Sequence, residues 1–235
     1  MLKKLKEMID TSENIVFFGG AGVSTESGIP DFRSVDGLYH QKYQYPPETM
    51  LSHTFFETHT EEFYAFYQDK LINLEAKPNF AHHYLVELEK QGKLRAIVTQ
   101  NIDNLHYLAG SKEVYELHGS VARNYCVNCH KFYYVEDLLR LNRPYCDCGG
   151  LIKPDVVLYE EGLPEKTVHQ AVKAIQDADM LLIAGTSLAV YPAASFVNYY
   201  RGNKLVVINK TPLSLSCDLV IEGAIAETLQ KVSQL

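Results

Sequence analysis

The chain has 235 residues, 46% hydrophobic and 22% charged, and carries a formal net charge of −7 from 22 Lys+Arg against 29 Asp+Glu. This is an ordinary globular composition, long enough to bury roughly 70% of its unfolded surface, and it excludes a disordered or collagen-like chain. The acidic balance argues against a general binder of nucleic acid or anionic membrane, and no apolar stretch approaches the ~20 residues of a membrane span.

In chain order, Leu2, Leu5 and Ile9 share one face of an amphipathic helix. That segment lacks the apolar centre and small-residue cleavage site of a signal peptide, so the cytoplasm, where thiols stay reduced, is the expected compartment. Ile15–Phe18 is a short buried strand ending in Gly19-Gly20, and Asn79–Lys90 has helical spacing. Arg95–Thr99 and Val114–Leu117 read as strands, with a short helix at Leu105–Leu108. Glu165–Asp177 is helical, Met180–Ala184 a strand, Ala193–Tyr200 a helix, Leu205–Ile208 and Leu219–Ile221 strands, and Ile225–Val232 a closing helix. Apolar strands alternating with helices predict an α/β fold: a Rossmann-like parallel sheet with helices on both faces. Two segments break the rhythm. Residues 36–76, rich in aromatics and His with a helix at about 60–74, and residues 121–152 are read as insertions forming a smaller lobe, which leaves 1–35, 77–120 and 153–235 as the main domain.

Cys126, Cys129, Cys146 and Cys148 are spaced C-x2-C-x16-C-x-C, and Gly149-Gly150 suits a tight knuckle. Two close pairs separated by a ribbon-length spacer can set four sulfurs around one structural zinc, with no open position for a substrate. Two disulfides, or a ligand set in which His130 replaces one cysteine, are the alternatives. Cys217 reads as a small buried apolar residue.

Strand Ile15–Phe18 leads into Gly19-Gly-Ala-Gly-Val-Ser24, similar to a phosphate-cradling turn but without the third glycine at position 25. Ser27-Gly-Ile-Pro-Asp-Phe-Arg-Ser34 follows. It leaves Phe32 and Arg33 on a loop, where Arg can pair with phosphate and Phe can cover an aromatic leaving group. At the carboxyl end of strand 95–99, Asn101 and Asp103 offer an amide and a carboxylate to a carboxamide, or an Asx turn to the next helix. His118 lies after strand 114–117, again at a carboxyl end, and suits a general base. The other histidines read as surface or core residues, and His106 as structural. Gly185-Thr186-Ser187 offers hydroxyls to phosphate or ribose, Asn209 can reach a ribose, and Asp155–Tyr159 alternates as an exposed edge able to add a peptide as a strand, or as an interior strand.

Taken in order, Gly20-Ala-Gly-Val-Ser-Thr-Glu-Ser-Gly-Ile-Pro-Asp-Phe-Arg33, Thr99-Gln-Asn-Ile-Asp-Asn-Leu-His106, His118-Gly119, the four cysteines, Lys153-Pro-Asp-Val-Val157, Gly185-Thr-Ser-Leu188 and Val207-Ile-Asn209 resemble the motifs of the sirtuins, NAD-dependent protein lysine deacylases. The resemblance covers nearly the whole chain. It implies NAD as co-substrate held by Ala21, Thr25, Phe32, Arg33, Gln100, Asn101, Ile102, Asp103, His118, Thr186, Ser187, Asn209 and Ile225, and an acylated-lysine protein or peptide held at Val156 and Val157. In the implied reaction the acyl-lysine oxygen attacks the nicotinamide ribose carbon. His118 then takes a proton from the ribose hydroxyls, and lysine, nicotinamide and O-acyl-ADP-ribose are released. The chain departs from the family at Tyr159-Glu160-Glu161, where Phe-Gly-Glu is frequent.

Family members that prefer succinyl-lysine carry Tyr-x-x-Arg on a helix; here Tyr64 is followed by Tyr67, so a neutral acyl group facing Phe63, Phe66 and Tyr67 is expected. A packing role in the lobe's core is the alternative for these aromatics. A mono-ADP-ribosyltransferase or NAD hydrolase using the same cleft is the competing activity. A nucleic-acid-binding zinc module is disfavoured, because residues 120–153 hold only five basic against three acidic side chains. A monomer is the expected state.

Overall fold

Period-two alternation within the apolar runs decides the architecture. The computed structural model describes residues 1–31, 45–141 and 143–235. Helix α1 (Leu2–Asp10) precedes β1 (Ile15–Gly19), and two 3₁₀ turns, Ala21–Val23 and Thr25–Ser27, follow. Then come α2 (Pro47–Met50), α3 (His53–Thr58), α4 (Thr60–Lys70), α5 (Phe80–Lys90), β2 (Leu94–Thr99), α6 (Leu105–Ala109) and β3 (Val114–Glu116). After them lie β4 (Gly119–Cys126), β5 (Phe132–Tyr134), α7 (Val135–Arg140) and β6 (Ile152–Val156). The chain closes with α8 (Glu165–Asp177), β7 (Met180–Ala184), a 3₁₀ helix (Ala193–Tyr199), β8 (Leu205–Asn209), β9 (Leu219–Glu222) and α9 (Ile225–Ser233).

Six strands form a parallel sheet in the order β3-β2-β1-β7-β8-β9. Along β1, Ile15 and Phe17 pack with α1, α5 and α9 residues such as Leu5, Leu85 and Leu229. Val16 and Phe18 point the other way, into a cluster with Ala171 and Ile175 of α8 and Phe196 of the 3₁₀ helix. Strand β7 repeats the split, with Leu182 on the first face and Leu181 and Ile183 on the second. Both faces are therefore covered, which is why these strands read as unbroken apolar runs.

A third core joins the aromatic segment to the cysteine segment: Phe55, Phe56, Phe63 and Tyr67 pack with Val121, Leu138 and Ile152. Here β4 lies between β5 and β6 in a small antiparallel sheet. Three local expectations change. The segment expected as helix Ala193–Tyr200 is a 3₁₀ helix, Ala193–Tyr199. The helix expected to reach residue 74 stops at Lys70. The strand expected over 155–159 ends at Val156, because it is the ladder with β4, starting at Ile152, that defines it. Among the described residues no helix is long and apolar enough to cross a membrane.

Helix α5 opens with a capping box: the Asn79 side chain accepts from Ala81 N at 2.9 Å, and Asn79 N donates to His82 Nδ1 at 3.2 Å. The His82 and His106 rings lie 4.7 Å apart, both buried, and His106 also meets Phe17 edge-on. Burial holds His82 down at about 4 and His106 well below its ordinary value. Both stay neutral in the fold, whereas unfolded imidazoles protonate near ~6.5. The unfolded state therefore binds more protons as pH falls from about 6.5 toward 4, and stability declines across that window, by about 3 kcal/mol for His82 alone when complete. His82→Gln keeps an acceptor for the capping box without a titrating ring. Its melting temperature is expected to fall less than that of the parent between pH 7 and pH 5; equal declines would place the acid sensitivity elsewhere.

Candidate functional site

The sheet order reverses between β1 and β7, so the loops leaving their carboxyl ends diverge and open a crevice, the usual ligand position in such sheets. A cavity of about 780 Å³ lies there, within the range of about 300–1,000 Å³ common for ligand pockets. Its floor is backbone packed on backbone. A Cβ on Gly20 would lie 2.8 Å from the Gly185 carbonyl oxygen, one on Gly22 would lie 2.7 Å from Gly185 Cα, and one on Gly185 would lie 2.4 Å from Val23 N. Gly185 also has φ +59°. These glycines are thus required by the close approach of two loops, as well as leaving room for a ligand.

One wall carries a buried polar network. Ser24 Oγ donates to Asp103 Oδ2 at 2.5 Å, and Asn101 Nδ2 donates to Ser24 Oγ at 3.1 Å. Asp103 Oδ1 accepts from Leu105 N at 2.9 Å, so the helix-starting turn and the cavity wall are the same residue. Burial pushes the Asp103 carboxyl up from its ordinary range, against hydrogen bonds from Ser24, Leu105 N and Asn101 that favour the ionised form. Next to it, Gln100 Nε2 donates to Thr186 Oγ1 at 3.1 Å, and Asn209 Nδ2 donates to the Thr186 carbonyl at 3.0 Å. Ala21, Thr25, Ile102, Ser187 and Ile225 line the same cavity. The Glu26 carboxylate accepts from Ala226 N at 2.7 Å and Glu227 N at 3.2 Å, tying the first loop to the start of α9. Phe32 and Arg33 lie outside the described residues.

His118 lines the same cavity. Its Nδ1 is 2.9 Å from the Gln100 carbonyl, an acceptor only, so Nδ1 carries the proton and Nε2 is the nitrogen able to receive one. Burial lowers the imidazole pKa below its ordinary value, and the bond to Gln100 opposes this in part. Gly119 follows with φ +73°, and a Cβ there would fall 1.8 Å from the Asp155 carbonyl oxygen. No other residue fits after His118. Arg123 bridges Glu116 and Asp155 at 2.7 Å each, tying β3, β4 and β6 together beside it.

Val156 and Val157 line the cavity, followed by Leu158 and Tyr159. The alternating edge is mostly occupied already: Val157 N donates to the His118 carbonyl and Tyr159 N to the Leu51 carbonyl, while the Tyr159 carbonyl accepts from His53 N. The aromatics of α4 do not face the cavity. Tyr64 is buried and donates to the Ile152 carbonyl, and Tyr67 is fully buried and stacked on Phe63. Their three-and-four spacing serves the smaller core, the alternative left open by the sequence. Lys70 and Leu71, at the end of α4, reach the cavity instead, as do Leu51, Tyr191 and Lys210. Of these five, the sequence pointed only to Lys70, as a cation able to reach the acyl site; the other four sit at element ends and carry no local pattern.

The four clustered cysteines converge, with all Sγ atoms within 4.8 Å of one another. Cys126 Sγ lies 3.4 Å from Cys148 Sγ, and Cys129 Sγ lies 3.6 Å from Cys146 Sγ. Sulfurs at about 2.3 Å from a zinc ion stand under 4 Å apart in a tetrahedron, so the set fits one closed zinc site. All five cysteines are free thiols, which removes the disulfide alternative. Gly150 is needed there, since a Cβ would fall 2.6 Å from Cys126 Sγ. Cys126→Ser is expected to drop bound zinc to near zero and to lower soluble yield, since such a site supplies on the order of 10 kcal/mol to a small module. Full zinc content with unchanged melting would overturn the four-cysteine set.

Comparison with known proteins agrees with this geometry. The Sir2 family model matches residues 20–192. A Clostridium acetobutylicum protein named NAD-dependent protein deacetylase is 57% identical over 238 residues, covering 98% of this chain and 97% of its own length. One of the same name from Clostridium perfringens is 58% identical and covers 98% of each. A solved structure of Sir2 bound to acetylated peptide superposes with a TM-score of 0.87 at 37% identity, over 100% of this chain and 98% of that one. A Sir2–p53 peptide–NAD+ complex also gives 0.87, at 39% identity over 100% and 98%. Sequence and fold are thus similar along the whole length, and the chain belongs to the Sir2 family.

Proposed function

We propose that this cleft removes acyl groups from protein lysines with NAD as co-substrate, and that His118 is its general base. The observation that carries the reading is the His118 ring, anchored through Nδ1 to the Gln100 carbonyl and lining the same cavity as the buried Asn101–Asp103 pair. The family's relatives named NAD-dependent protein deacetylase support the reaction class. NAD supplies, when bound, a ribose carbon that parts from nicotinamide and accepts the acyl oxygen of lysine. In this reading Asn101, Ile102 and Asp103 orient the carboxamide of the leaving group, and Gln100 and Thr186 face the ribose. Ala21, Thr25, Ser187, Asn209 and Ile225 take the ADP portion, with Arg33 at a phosphate, and Phe32 covers the leaving nicotinamide ring. His118 Nε2 accepts the proton of a ribose hydroxyl, while the Gln100 carbonyl keeps the ring oriented and favours its protonated form. Apolar walls from Leu51, Ile102 and Leu158 keep water from the reacting groups. Val156 and Val157 bear the acylated peptide.

The same reading makes residues 36–76 and 121–152 a small lobe carrying a structural zinc; the shared apolar core and the converging thiols support it. It places the enzyme in the cytoplasm as a monomer, with no nucleic-acid or membrane partner.

His118→Ala is expected to lower turnover about 10²–10⁴-fold while NAD still binds by calorimetry. Because burial holds the imidazole below its ordinary value, the acid fall of kcat/KM should lie at lower pH than that of an ordinary imidazole. Activity within a few-fold of the parent removes His118 from the mechanism. NAD hydrolysis equally fast without peptide would favour the competing hydrolase.

Acetyl-lysine is expected to exceed succinyl-lysine in kcat/KM on one peptide. Val156, Val157 and Leu158 are apolar and Glu160 and Glu161 line the cavity beyond them, so a carboxylate buried there loses hydration at a cost of several kcal/mol unless a cation meets it. Lys70 reaches the cavity but is paired with Asp69 at 2.7 Å. Succinyl turnover equal to acetyl turnover would give Lys70 that role.

A further inference from the structure

The segment that follows β6 is held in place by two carboxylates at the rim of the same cavity, neither of which the proposed reaction uses. Glu160 adopts φ +77°, the left-handed region that an L side chain enters at a cost. Glycine would take this conformation freely, so the backbone alone gives no reason for Glu at this position. The side chain does. Glu160 Oε2 accepts from Thr54 N at 2.9 Å and from Thr54 Oγ1 at 2.7 Å, across 106 positions of sequence. Its neighbour Glu161 accepts from Leu158 N at 2.9 Å, from Lys153 Nζ at 3.1 Å and from His53 Nδ1 at 2.8 Å. Backbone bonds run between the same two stretches, His53 N to the Tyr159 carbonyl and Tyr159 N to the Leu51 carbonyl, each 3.0 Å. The start of α3 at 52–54 and the segment at 158–161 are thereby laced together along the cavity wall to which Val157, Leu158, Tyr159, Glu160 and Glu161 contribute.

We propose that Glu160 is a positioning residue that clasps the peptide-bearing segment to Thr54, so that this wall of the cleft is ordered before an acylated peptide arrives. The inference rests on the deacylase reading for its substrate, but the clasp itself belongs to this chain's own residues. A segment ordered in advance loses less conformational freedom on binding, so the clasp acts on peptide affinity and not on the handling of NAD.

Glu160→Gly removes the carboxylate and relieves the left-handed strain at once. The expected result is a rise of about three- to fivefold in KM for an acetyl-lysine peptide, with KM for NAD within twofold of the parent. Glu160→Gln keeps an oxygen for Thr54 and should restore most of the peptide affinity. Adding Thr54→Val to Glu160→Gly should raise KM no further, because both changes break the same contact. Hydrogen exchange at the amides of residues 157–161 reads the clasp without any turnover, and those amides should exchange faster in Glu160→Gly. Unchanged exchange, or a peptide KM that stays the same or falls in Glu160→Gly, overturns the clasp. A drop in melting temperature with both KM values unmoved also overturns it, since that is what a purely structural contact gives. If the parent protein fails to deacylate any peptide while exchange still responds to Glu160→Gly, the deacylase reading fails and the clasp stands.

Discussion

Two backbone turns pressed together, at Gly20–Gly22 and at Gly185, fix the rest of the cleft. No side chain fits between them, so the ends of β1 and β7 meet at a distance that only glycine allows. Hydrogen bonds continue the contact on either side: Gly22 N donates to the Gly185 carbonyl at 2.8 Å, and Gly20 N to that of Ala184 at 3.2 Å. Thr186 follows at once, and both Gln100 and Asn209 reach it. Three strand ends are thus registered on one small residue pair, and the polar groups that would meet a dinucleotide inherit their spacing from it.

The second fixed point is the approach of Gly119 to Asp155. The contact leaves His118 at the crossing from the large sheet to the small one, where Val157 N takes its carbonyl and Gln100 takes its Nδ1 proton. An imidazole held by main-chain groups on two sides needs no carboxylate partner to choose its tautomer. That spares the cleft a further charge close to Asp103, whose burial already opposes ionisation.

These two points also explain what was legible in the sequence. Residues whose chemistry demands a local pattern could be read: glycines at forced contacts, paired cysteines, unbroken apolar runs, and His118 before an obligatory glycine. Residues whose role depends on partners far along the chain could not. Tyr64 and Tyr67 have the spacing of any buried helical face, and only the packing against Ile152 and Phe63 shows which side they serve. The end of β6 at Val156 is set by a ladder with β4 that begins at Cys126, thirty residues earlier. Glu160 shows in the sequence only as a departure from the family's Phe-Gly-Glu, and what it does is visible only when its φ and its bond to Thr54 are seen together. The segment Ala193–Tyr199 has a helix-like composition, but its apolar residues pack in the tighter 3₁₀ form beneath α8.

The small antiparallel sheet shows how a closed metal site can matter to chemistry it never touches. Strand β4 runs from Gly119, next to His118, to Cys126, a member of the thiol cluster. Strand β6 pairs Val156 with Gly119 at one end and Ile152 with Cys126 at the other. A zinc ion on Cys126, Cys129, Cys146 and Cys148 therefore clamps one end of a two-strand ladder whose other end presents His118 and Val156 to the cleft. Between them the ladder carries an irregularity between Gly119 and Asn124, the kind of break at which an unclamped pair slips register. A one-residue slip would turn Val156 away from the cavity and force Gly119 off Asp155. A metal ion held there would bear on the position of His118 through the register of a single pair of strands.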